Sequence, residues 1–292
     1  MRPQTKQLIS QGVLVCPSSK QRLQLADDGR SLLTADRKKT YPVIDGVPVL
    51  TDSYDEFRRQ SGDMLRTDAR KRSSVEGGGL IARLERYARR GYEGEDFHKA
   101  YESVFPSSDS GRTWVNIGGG QKRKSHQLNL NIVIFGSVDV IGDAQKLPFG
   151  DETVDAVCCE ALLEHLPCPQ EAVLEMRRIL KPGGKVFAST PFMQNYHGYP
   201  GHYQNFTHQG HRLLFEAAGF RVLACGTGVG PVYTILTLNA LFIKEFFPRP
   251  LSSWLSRLFR YATAPLRRLD RRLASHPSSY LLASTTYLTA VK

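Results

Sequence analysis

Three stretches of this 292-residue chain hold side chains whose type and spacing suit chemistry. In the first, Val115-Asn116-Ile117 runs into Gly118-Gly119-Gly120. Glycine lacks a Cβ and accepts positive φ, so backbone can turn there against a ligand. Such a cluster at a strand end sits where open α/β sheets bind ligands, although an ordinary turn would look the same. About twenty residues on, an acid commonly holds ribose hydroxyls; here Leu128-Asn129-Leu130-Asn131 occupies the place. Asn131 can donate and accept hydrogen bonds but gives up the strength of a carboxylate. In the second stretch, Asp143 of Val138–Ala144 follows a predicted strand, placed to accept from an exocyclic amine such as that of adenine. In the third, His197 and His202 follow another predicted strand. Imidazole titrates near neutral pH, so either could act as general base for a hydroxyl, or both could simply pack their loop.

The elements that would position these residues alternate from 113 onward. Apolar strands are expected at Thr113–Ile117, Leu128–Phe135, Val138–Ile141, Val154–Cys159, Lys185–Thr190, Phe220–Gly226 and Thr285–Val291. Helical stretches intervene at Pro169–Leu180 and Gly210–Ala218, and Lys181-Pro182-Gly183-Gly184 ends the first with breakers. That alternation predicts a parallel sheet covered by helices. Ahead of it, residues 1–52 read as a small β-rich unit with short apolar runs between polar turns. Residues 53–108 read as a charged helical connector, its better helix around Leu80–Arg90, interrupted by Gly77-Gly78-Gly79.

The run GDAQKLPFGDETVDAVCCEALLEHLPCPQEAVLEMRRILKPGGKVFASTPF resembles the core of class I S-adenosylmethionine-dependent methyltransferases of the ubiquinone/menaquinone-methylase-like group. Asp143-Ala144, Leu147-Pro148-Phe149, Leu163-Glu164-His165 and Arg178–Gly184 occur in order and at family spacing, and the likeness covers residues 113–226. It implies an α/β, Rossmann-like, seven-stranded sheet over 109–292, with the last strand antiparallel between its neighbours. It also implies S-adenosylmethionine as cosubstrate. Asn116, Gly118 and Gly120 would cradle the methionine portion, Asn131 would face ribose, Asp143 and Ala144 would read adenine, and Glu160 would line the methyl-donor pocket. Pro191–Thr207 is similar to a narrower pattern, PF-x-x-x-x-H-x-x-P-x-D-Y-x-R-F-T, which implies a loop facing the acceptor. His197, Pro200, Tyr203, Phe206 and Thr207 match it, while His202 and Asn205 replace the acid and arginine.

Residues 1–52 resemble the zinc-ribbon-like units that accompany some methyltransferases, keeping Leu14, Cys16, Pro17 and Tyr41–Pro48. Ser19 stands where a second cysteine belongs, and one thiolate cannot hold a tetrahedral zinc, so a degenerate, metal-free module is expected. The other cysteines, 158, 159, 168 and 225, are scattered and lack zinc spacing. No disulfide framework or metal site is expected from them, and a reducing, cytoplasmic address follows.

The formal charge is +11, concentrated in Arg58–Arg90 and Arg249–Arg272. Solvated helical faces account for both runs, and nucleic acid is the less favoured partner because aromatic residues do not interleave with the basic ones. An insertion at 231–278 precedes the last strand. Within it Leu251, Trp254, Leu255, Leu258 and Phe259 recur at helical spacing beside arginines. A lid packed over the acceptor is one reading of this insertion; a peripheral contact with the inner membrane face is the other. The expected reaction is methyl transfer to a hydroxyl of a small-molecule, glycan or lipid-linked acceptor. A non-catalytic adaptor with this fold and an RNA-modifying enzyme stand as alternatives.

Overall fold

The computed structural model describes residues 1–56, 58–59, 79–107, 111–120, 124, 126–133, 136–198 and 201–292. Gly77, Gly78, Phe135, Pro200 and much of the Arg58–Arg90 run lie outside the described residues. Eleven strands form one sheet: β1 (Leu23–Leu25), β2 (Ser31–Thr34), β3 (Thr40–Ile44), β4 (Val47–Leu50), β5 (Trp114–Ile117), β6 (Gln127–Asn131), β7 (Val140–Gly142), β8 (Val154–Glu160), β9 (Leu180–Pro191), β10 (Arg221–Thr227) and β11 (Thr285–Val291). Their order is β1-β2-β3-β4-β7-β6-β5-β8-β9-β11-β10. From β7 to β9 neighbours are parallel, and β11 runs antiparallel between β9 and β10. This is the mixed α/β, Rossmann-like sheet that the resemblance implies, but with eleven strands instead of seven, because β1–β4 of residues 1–52 extend its edge.

Period-two alternation gives the sheet two apolar faces. Val115, Val157, Cys159, Val186 and Leu288 share one core with the helix α4 below, whereas Trp114, Ala156, Cys158, Phe187 and Tyr287 face another. α4 (Pro169–Ile179) starts with Pro in its first turn, ends near Arg177 and Arg178, and buries Ala172, Val173, Met176 and Ile179. Arg178 then ties the family motifs together: it donates to the carbonyls of Leu147 and Phe149 and pairs with Glu175 and Asp151. The Lys181–Gly184 segment is not a loop between helix and strand, since β9 already begins at Leu180. Its register against β8 shifts between Val154 and Ala156.

Residues 1–52 are not a separate body. They open with a short helix, α1 (Pro3–Ser10), which the alternation of apolar and polar residues did not predict. β4 then pairs parallel with β7, Val49 opposite Ile141 and Leu50 opposite Gly142. Leu14, Leu32 and Leu50 share the main core with the strands of the second half. Nor is the connector only a spacer. α2 (Leu80–Arg89) is followed by α3 (Glu95–Val104), whose Phe97 and Tyr101 meet the rings of Phe187 edge-on at 5.2 and 5.3 Å. α5 (His208–Ala217) is capped by Thr207, whose side chain accepts from Gly210 N–H.

The insertion forms α6 (Pro231–Phe246), α7 (Leu251–Thr263) and α8 (Asp270–Leu273). The buried Asp270 carboxylate accepts from Val232 N at 3.0 Å and Tyr233 N at 2.7 Å, holding the start of α6 as a cap from a distance. Within the apolar stripe of α7, Leu255 and Phe259 are half-buried and the other three residues face outward. Leu251 and Leu258 are exposed, and Trp254 is 62% exposed. The tail, Ala274–Leu281, walls a cavity of about 740 Å³ with Phe192, Thr207 and His208.

Candidate active site

β5 is the switch point of the sheet: β6 lies on one side and β8 on the other, so chain direction opens a crevice beyond their carboxyl ends. A cavity of about 240 Å³ sits there, lined by Gly118, Asn131, Asp143, Ala144, Leu162 and His165 among others. Gly118 needs to be glycine: its φ is +75°, and an added Cβ would lie 3.1 Å from Leu162. The Asn131 Oδ1 accepts from Val133 N at 3.3 Å, which leaves its amide N–H groups for a ligand. Asp143 Oδ1 accepts from Gln145 N at 2.9 Å, leaving the second carboxylate oxygen as an acceptor. Ile117 and Leu130 supply apolar wall. A glycine that a side chain would fill, an amide with N–H donors to spare and a free carboxylate oxygen fit a nucleoside.

Of the other residues expected to hold the cosubstrate, three lie apart from the cavity lining. Asn116 is buried beneath Gly119, where its amide would meet an added Cβ at 2.6 Å. The Gly120 carbonyl accepts from Ser137 Oγ at 3.0 Å and Asn129 Nδ2 at 3.2 Å. Glu160 pairs with Lys124 at 2.6 Å, and the same ammonium stands 4.3 Å over the Tyr101 ring. Tyr203, named from the loop pattern, also lines the cavity, and so do Ser53 and Glu56, which were not singled out from sequence. Ser53 and Glu56 follow β4 in what read as a connector, so only its pairing with β7 brings them here.

A 3₁₀ turn at Leu163–His165 follows β8. The loop after β9 is pinned to it: Tyr203 N donates to Glu164 O at 2.8 Å and Gln204 to Leu166 O at 3.0 Å. The Glu164 side chain is 0% exposed, and burial raises its carboxyl to about 7 against the lowering hydrogen bonds of its own backbone and Thr190. His165 Nε2 stands 3.7 Å from Glu164 Oε1 and His197 Nε2 stands 4.0 Å from it. Burial lowers the His165 pKa, outweighing its bond to Gly201. His197 and His202, the two expected bases, differ in what they leave free. His202 Nδ1 accepts from His197 N at 3.1 Å, and its Nε2 is 2.6 Å from Asn205 Oδ1. Both its nitrogens are used inside the loop, so His202 positions His197. His197 donates Nδ1–H to Asn195 O at 2.9 Å and keeps its Nε2 lone pair. Glu164 and His165, legible only as a family motif in the sequence, thus join His197 across 32 residues of chain.

In the N-terminal module, Cys16 is buried with its sulfur 3.1 Å from the Tyr41 hydroxyl and 3.4 Å from Ser18 Oγ. The second-cysteine position, Ser19, donates its backbone N–H to the same sulfur at 3.4 Å.

Residues 120–188 match the family described as a methyltransferase domain. The matched segment spans β6 to β8 and most of β9, and includes Asn131, Asp143, Glu164 and His165. An uncharacterized methyltransferase of Schizosaccharomyces pombe is 30% identical over 131 residues, covering 41% of this chain and 45% of that protein. The demethylmenaquinone methyltransferase of Mycobacterium tuberculosis is 44% identical over 55 residues, covering 18% of this chain and 24% of that protein. The chain thus spans less than half the length of these curated relatives. Among solved structures, the 1,6-didemethyltoxoflavin-N1-methyltransferase of Burkholderia thailandensis aligns with a TM-score of 0.45 at 13% identity, over 88% of this chain and 97% of that one.

Proposed function

We propose that the protein is an S-adenosylmethionine-dependent methyltransferase acting on a hydroxyl of a small-molecule, glycan or lipid-linked acceptor. The observation that supports this most is the cavity at the switch point, where Gly118, Asn131, Asp143 and Ala144 converge beside His165. S-adenosylmethionine, when bound, supplies a methyl group already activated on a sulfonium. The protein's own task is then to hold and orient both partners, and well-oriented reactants gain about 7–11 kcal/mol over free encounter. Gly118 admits the ligand against backbone, Asn131 donates to ribose hydroxyls, and the free oxygen of Asp143 accepts from the adenine amine. His165 and His197 face the acceptor, and His202 fixes the loop that carries His197.

Calorimetric titration with S-adenosylmethionine tests the cosubstrate assignment. A hydrogen bond to a charged group contributes about 1.5–3 kcal/mol, so Asp143→Ala should weaken binding about 10- to 100-fold. Equal affinity in wild type and variant would remove Asp143 from the site.

The acceptor is proposed to meet the enzyme at a lipid surface. Leu251, Trp254 and Leu258 share one face of α7 and are all exposed, with the exposed Arg257 beside them. Phe242 and Phe246 stack at the end of α6, where Phe246 is 76% exposed. No helix among the described residues is long and apolar enough to cross a membrane. A peripheral contact, basic and apolar together, is what these helices offer.

A further inference from the structure

We infer that Glu164, His165 and His197 form a binding site for a divalent transition-metal ion next to the cosubstrate cavity. The site itself is argued from geometry alone; its role in the reaction rests on the methyltransferase reading. Glu164 is fully buried, and its Oε2 is 3.3 Å from Thr190 Oγ1. Its Oε1 has no hydrogen-bond partner among the described residues. A buried carboxylate oxygen left bare is costly, and native structures rarely keep one without a counterpart.

Two imidazoles are turned toward that bare oxygen, and their tautomers can be assigned. His165 Nδ1 lies 2.6 Å from the Gly201 carbonyl, and His197 Nδ1 lies 2.9 Å from the Asn195 carbonyl. A carbonyl oxygen only accepts, so the hydrogen of each neutral ring is on Nδ1. Each Nε2 therefore presents a lone pair toward Glu164 Oε1, at 3.7 and 4.0 Å. These separations are too long for hydrogen bonds. Three potential ligand atoms thus converge within 4.8 Å of one another. Placing a cation at their centre turns mutual repulsion into attraction. Two ligands on one ion at about 2.0–2.1 Å lie about 3.4 Å apart at a tetrahedral angle, so a small contraction closes the set. The carbonyls behind each Nδ1–H are the outer-shell partners that orient ligating histidines.

Two imidazoles, one carboxylate and no thiolate select zinc, manganese, iron or cobalt in the divalent state over calcium or magnesium, which favour all-oxygen sets. Three protein ligands leave at least one position open. His165 also lines the cosubstrate cavity, so the open position lies on its border. An acceptor hydroxyl bound there would be held beside the methyl donor and would release its proton to solvent at a lower pH than when free. His202 and Asn205, which depart from the loop pattern, hold the His197 backbone and the Gln194 carbonyl.

The probe is cobalt(II) alone, titrated into metal-stripped full-length protein and followed by its visible d–d absorption and by calorimetry. One ion per chain is expected, with no thiolate charge-transfer band. Glu164→Gln and His197→Ala should each weaken binding at least about 100-fold, since even outer-shell changes cost 10- to 100-fold. Their thermal midpoints and S-adenosylmethionine affinity serve as the check on folding. Cys168→Ser, which removes the exposed thiol, should leave cobalt binding unchanged. Stripped protein that binds S-adenosylmethionine but takes up no stoichiometric cobalt would overturn the site, as would binding indifferent to both ligand substitutions. Cobalt uptake without S-adenosylmethionine affinity would instead keep the metal site and remove the methyltransferase reading.

Discussion

Gly118 illustrates how much of the candidate site rests on single backbone positions. At φ +75° a β-substituted residue is strained, and the added carbon would press on Leu162 in the cavity wall. Gly118→Val should therefore cut S-adenosylmethionine affinity about 5- to 30-fold, counting roughly 1–2 kcal/mol of strain alone. Equilibrium dialysis of purified variant and wild type gives the comparison, and matching dissociation constants would refute it. At this scale the sequence was informative where chemistry is local. Gly118, Asn131 and Asp143 could be picked out because each is a strand-end residue of a suitable type, and all three line the cavity. Glu160 could not be placed from its position alone, because the residue that takes its charge, Lys124, lies 36 positions away. The Glu164–His165–His197 cluster escaped notice for the same reason: tautomer and lone-pair direction depend on which carbonyl a folded loop presents.

Elements were legible where hydrophobic period and breakers agree, as in α4 and in the strands β5 to β10. They were illegible where pairing is non-local. Nothing in VPVL announces that β4 joins the far edge of a parallel sheet, so the first fifty residues read as a module of their own. The structure makes them part of one core: Leu14 is fully buried, its strand bridge is to Phe149, and Val15 N donates to Pro148 O at 3.0 Å. Leu14→Ala should destabilise the whole chain by about 2–5 kcal/mol in urea unfolding, as in other closed cores. A separate early transition, with the main one unmoved, would show two independent domains instead. A second element-level expectation concerns α5 and β11, which meet at His211. This ring is fully buried, and its Nδ1 is 3.0 Å from Thr286 Oγ1. Burial, with a smaller contribution from His208, lowers its pKa from 6.5 to about 3. The unfolded chain therefore binds this proton first, and stability must fall as pH drops from about 6.5 toward 3. Chemical denaturation across that window should show His211→Leu losing up to about 1.4 kcal/mol per pH unit less than wild type. Parallel slopes would mean that His211 stays as easily protonated as a free imidazole.

At the scale of the molecule, charge and apolar exposure fall on the same helices. Not all of the basic run is free for a partner: Arg90 and Arg271 each stand 5.0 Å from the Tyr92 ring, and Arg267 is buried over Tyr233. Arg257 stays exposed on the turn after Trp254 although its Nε lies 3.9 Å from Glu85 Oε1, and each basic residue near an anionic surface contributes about 1 kcal/mol. Co-sedimentation with phosphatidylserine vesicles should pull the protein down at low salt and release it as salt rises. Changing Trp254 and Leu258 to serine should roughly halve the bound fraction or more, in a protein with an unchanged thermal midpoint. Protein that stays in the supernatant at low salt would end the membrane reading.

The parallel pairing of β4 with β7 also has a consequence for biosynthesis. Leu50 leaves the ribosome about ninety residues before Gly142, the partner with which it is in register. At translation rates of about 5–20 residues per second, the nascent amino-terminal strands wait roughly 5–20 s with one edge and their apolar side chains uncovered. Closing so long a loop is slow compared with forming a hairpin. The newborn chain is thus at its most adhesive before the cosubstrate cavity exists, and β7 is the stretch whose emergence ends that exposure.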